Sequence, residues 1–92
     1  MEKAAFNREF FLKRRKSSLL SRISSAHAAL EKVRSVLDDL AVALQTQPDP
    51  ERLKELSLAL LVAFEGFERA LKQPTPLWDD TYEFALALSE GR

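Results

Sequence analysis

The stretch QTQPDPE, Gln45 to Glu51, decides the fold. Before it, residues 2–45 contain neither proline nor glycine and are rich in strong helix formers. Within it, Asp49 is a natural N-cap, Pro50 suits a first helical position and Glu51 complements the positive end of a new helix. The spacing predicts helix 1 over about residues 2–45 and helix 2 over about 50–72, with Asn7 as an alternative N-cap for the first. A connection this short makes the two helices antiparallel neighbours.

Apolar periodicity supports the hairpin. Leu19, Ile23, Ala26, Leu30, Val33, Leu37, Leu40 and Leu44 follow alternating steps of four and three, a heptad seam. Projected backward, the seam meets Lys16 and then Leu12. Helix 2 offers Leu53, Leu56, Leu60, Phe64, Phe67 and Leu71. A second break, QPTPLW from Gln73 to Trp78, places Thr75 as cap, Pro76 as first residue and Asp79 and Asp80 in the opening turn. Helix 3 is predicted over about 76–89, with Gly91 as its stop. Its apolar face is read as Leu77, Trp78, Tyr82, Ala85, Leu86 and Leu88. The predicted fold class is all-α: a long antiparallel helical hairpin with a short third helix, as a three-helix bundle or an extended coiled-coil-like hairpin. The 92 residues form one helical domain on this reading.

Helix 1 outreaches helix 2, so residues before about Ser24 overhang. Helix 3 then either continues down onto the overhang, toward Lys13 to Lys16, or folds back onto the hairpin. The segment LALLVAF, Leu58 to Phe64, is apolar around its whole circumference and favours the fold-back arrangement; the downward one calls for a dimer to cover it.

The chain has no cysteine, which removes disulfides and thiolate metal sites. Its first residues lack the apolar core of a signal peptide, and its longest apolar run is seven residues, Leu58 to Phe64. A soluble, cytoplasmic protein is expected. Net charge is zero but divided: residues 1–34 carry nine Lys/Arg against three Asp/Glu, and residues 35–92 carry five against eleven. Such a division favours self-association, within one molecule or between two.

Two groups of residues are candidate binding sites. Phe6, Phe10, Phe11, Arg14 and Arg15, with Trp78, offer aromatic burial ringed by cations, a partner-binding surface suited to an acidic protein. Arg8, Lys13, Arg14, Arg15 and Arg22 are candidate phosphate contacts; Arg8, Arg15 and Arg22 are seven apart and share a helix face. Ser17, Ser21, Ser24 and Ala28 form a small-residue packing stripe, and His27 is read as a half-buried structural histidine. No phosphate loop, nucleophile elbow or Glu-x-x-His motif accompanies the carboxylate pairs. The sequence therefore predicts no enzyme, no cofactor and no metal. It predicts a non-catalytic interaction module (an adaptor, small chaperone or assembly subunit), with a homodimer or an acidic protein as partner. The alternative is a small helical subunit of a ribonucleoprotein assembly that contacts nucleic-acid phosphates non-specifically.

Overall fold

The computed structural model describes residues 2–90, with side chains from Asn7 onward. The chain is all-α and contains a helical hairpin; the described residues include no strand. Helix α1 spans Glu2–Gln45, α2 Pro50–Lys72 and α3 Leu77–Glu90. Because α1 starts at Glu2, Asn7 lies inside it and caps nothing. Gly91, the expected stop, lies outside the described residues. No described helix is long and apolar enough to cross a membrane.

The chain forms two compact units. The first, Ser25–Ala70, is the hairpin of α1 and α2. Its turn is built by Asp49: the Leu53 N–H donates to the Asp49 carbonyl at 2.9 Å, and the Glu51 N–H reaches the Asp49 carboxylate at 3.4 Å. That is N-cap geometry, with Pro50 as the first helical residue. At the end of α1 both the Thr46 N–H and its hydroxyl donate to the Val42 carbonyl, satisfying an acceptor the helix leaves open.

The packed stripe differs from the heptad read from sequence. On α1 the buried and half-buried positions are Ala26, Ala29, Val33, Val36, Leu40 and Ala43. Alternate positions agree with expectation, but Ala29, Val36 and Ala43 replace Leu30, Leu37 and Leu44, which are exposed. Helix α2 shows the same shift, with Leu53, Leu56, Leu60, Ala63 and Phe67 inward. Phe64, expected in the seam, is 49% exposed, while its neighbour Ala63 is buried. Small residues on the contact line let two helices approach closely, and the larger leucines and Phe64 flank that line.

The second unit joins the part of α1 up to Ser24 to the chain from Leu71 on. Here α3 lies along α1 in the antiparallel sense: Arg22 binds Asp80 near the start of α3, and Arg8 donates to the Ala87 carbonyl near its end at 2.8 Å. The fold-back arrangement favoured by the sequence is thus replaced by the downward one. The inward stripe of α1 continues as Leu12, Arg15, Leu19 and Arg22, so the seam passes through two arginines and leaves Lys16 exposed. Across from it, α3 turns inward Leu77, Asp80, Phe84 and Ala87. The face predicted to pack, with Trp78, Tyr82, Leu86 and Leu88, is exposed instead.

The reason is the bonding of Arg22, whose side chain is only 15% exposed. Its Nη1 donates to the Asp80 carboxylate at 2.6 Å. Its Nη2 faces the carbonyls of Thr75 at 2.6 Å, Gln73 at 3.3 Å and Leu71 at 3.5 Å. One guanidinium thereby meets the negative C-terminal end of α2, the connecting segment and the first turn of α3. The Thr75 hydroxyl donates to the same Asp80 oxygen at 2.6 Å. Thr75 therefore works through Asp80, and the Pro76 carbonyl accepts the first N–H bonds of α3, from Asp79 and Asp80.

Candidate functional site

Within α1, Phe10 and Arg14, and Phe11 and Arg15, are one helical turn apart, the spacing at which side chains meet. The Arg14 guanidinium carbon sits 5.9 Å from the Phe10 ring centroid, and that of Arg15 sits 5.7 Å from the Phe11 centroid. Both distances fall in the cation–π range. Both phenylalanines are 55% exposed. With Asn7 and Ser18 these four residues line a shallow groove formed by α1 alone. The two rings offer apolar area, and each guanidinium keeps N–H groups free of its ring contact for a carboxylate.

The structure separates the other expected site residues from this groove. Trp78 lines a different groove on α3, with Leu71, Leu77 and Tyr82. The Phe6 side chain lies outside the described residues. Among the expected phosphate contacts, Lys13 and Arg14 are exposed and Arg15 is half-buried on its phenylalanine. Arg8 is engaged by the Ala87 carbonyl, and Arg22 by Asp80 and three carbonyls. Of these three arginines spaced by seven, Arg8 and Arg22 are thus bonded within the chain, while Arg15 stays at the groove against Phe11. Sequence reasoning missed Arg22 as a structural clamp. Its seven-residue spacing from Arg15 is the signal, which the sequence alone assigns to phosphate contact instead.

His27 is exposed, not half-buried, and Ser17, Ser21, Ser24 and Ala28 are exposed rather than covered. No cluster of three or more His, Asp or Glu side chains able to hold a metal is found among the described residues. Comparison with protein-family models, with curated proteins and with solved structures finds no significant match.

Proposed function

We propose that the chain is a non-catalytic protein–protein interaction module, an adaptor, small chaperone or assembly subunit, that binds an acidic partner surface through the exposed face of α1. The observation that carries this reading is the doubled stack of Arg14 on Phe10 and Arg15 on Phe11 in one open groove. Two half-exposed phenylalanines contribute little to folding, whereas Phe and Arg side chains that become fully desolvated dominate many interfaces. A partner carboxylate bound to Arg14 or Arg15 would add a charge-assisted hydrogen bond above the buried rings.

The test is the double variant Phe10→Ala/Phe11→Ala. Its thermal midpoint should stay within a few degrees of wild type, because each ring is already more than half exposed. Capture of partners on immobilised protein should fall by at least about tenfold, the effect of losing two anchors of roughly 1 kcal/mol each. A large drop in the midpoint would make the two rings core and remove the site.

The nucleic-acid alternative keeps Lys13, Arg14 and Arg15 as available cations, three charges in a chain of zero net charge. Few phosphate contacts give weak binding with a shallow salt dependence. The expected result is no mobility shift of a generic oligonucleotide even at low salt. A clear shift that disappears by about 0.2 M salt would reverse the order of the two readings.

A further inference from the structure

The hairpin unit carries a second open surface, independent of the groove on the N-terminal part of α1. Between α1 and α2 runs an apolar groove lined by Ala29, Val36, Leu58, Val62, Ala63 and Gly66. Leu58 and Val62 are 64% and 67% exposed. Two cations line the groove, Lys32 on α1 and, beyond Gly66 on α2, Arg69, and no acid lines it. An occupant must therefore bring apolar side chains to the groove and a carboxylate to its Arg69 end.

Helix α2 itself has this chemistry. Consider a two-fold axis through Val62, with α2 of one copy antiparallel to α2 of the other. Residues equally far on either side of Val62 then fall at one level. Leu58 comes level with the partner's Gly66, the largest apolar side chain of the face beside its glycine. Glu55 comes level with the partner's Arg69. Residues 55, 62 and 69 are seven apart, and 58 and 66 flank Val62 by four on each side, so all five share one helix face. Gly66 adds an independent sign. A glycine inside a helix costs about 1 kcal/mol relative to alanine, and a Cβ at Gly66 would meet nothing within 4 Å in this chain. Its missing side chain serves no contact within the molecule and suits close approach from outside.

We infer that the occupant of this groove is a second copy of the chain, seated by antiparallel α2–α2 packing with Val62 on the two-fold axis and Glu55 paired with Arg69 of the other copy. The interface is isologous, so each contact occurs twice, and it uses the exposed Leu58 and Val62 of LALLVAF.

Light scattering tests this directly. The wild-type protein should have twice its chain mass of 10.4 kDa, and Val62→Glu should be monomeric with unchanged helical circular dichroism. Glu55→Arg and Arg69→Glu should each weaken the dimer about tenfold, and the double exchange should restore most of that loss. The exposed Arg52–Glu55 pair, at 3.7 Å, contributes too little to imitate the effect. Because the chain lacks cysteine, V62C should form a covalent dimer under mild oxidation while S57C, on the far side of α2, should not. A monomeric wild type, a dimer indifferent to Val62→Glu, equal cross-linking of V62C and S57C, or a double exchange no better than the single changes would each overturn the proposal. Phe10→Ala/Phe11→Ala should leave the mass unchanged, so failure of this interface and failure of the α1 site give different results.

Discussion

Leu56→Ala should cost about 3 kcal/mol and lower the thermal midpoint by on the order of 15 °C. Leu56 is 4% exposed, the most buried side chain described, and the other buried residues are the alanines Ala26 and Ala63. Truncating it removes the transfer free energy of its methyl-bearing carbons and leaves a cavity that two regular helices cannot close fully. For a chain of this length total stability is on the order of 5–14 kcal/mol, so the loss is a large fraction of the whole. Phe64→Ala removes more atoms but should cost only about 1 kcal/mol, since half of that side chain is already in water. Chemical or thermal denaturation of the two variants at one protein concentration checks the pair, because self-association makes apparent stability depend on concentration. If Phe64→Ala proved the more damaging, the contact line would run through Phe64, as the sequence heptad suggests.

Arg22→Met should release α3. Methionine keeps most of the apolar stem and removes the four bonds to Asp80 and to the carbonyls of Leu71, Gln73 and Thr75. Asp80, about one third exposed, would then retain the Thr75 hydroxyl alone. Removing one member of a partly buried charged pair costs about 2–3 kcal/mol here, below the full buried-pair figure because water reaches Asp80. The loss should be local. Amide exchange should quicken through α3 and the 73–76 connection while the hairpin, Ser25–Ala70, keeps its protection. Asp80→Asn should give a smaller effect of the same pattern, since a neutral amide oxygen still accepts from Arg22 and Thr75. Wild-type protection of α3 in Arg22→Met would show that Leu77, Phe84 and Ala87 suffice to seat the helix.

The sequence by itself determined the class and the hairpin. Forty-four residues without proline or glycine, then Asp49–Pro50–Glu51, leave the backbone little besides a helix, a capped turn and a second helix. These are local effects, carried by φ restriction, capping and the helix dipole, and they act wherever the chain finds itself. The phenylalanine–arginine groove was legible for the same reason: Phe10, Phe11, Arg14 and Arg15 meet through i, i+4 spacing on one helix. What only the tertiary structure decided is which side of each helix faces inward and where α3 goes. A heptad read from apolar residues prefers Leu30, Leu37, Leu44 and Phe64, but two helices can draw closer along Ala29, Val36, Ala43 and Ala63. The direction of α3 was hidden because its seam carries charged residues on both sides, Arg22 on α1 and Asp80 on α3. Arg22 and Asp80 look like surface in a hydropathy pattern, yet the guanidinium gathers carbonyls from Leu71, Gln73 and Thr75 that come together only once the chain has folded.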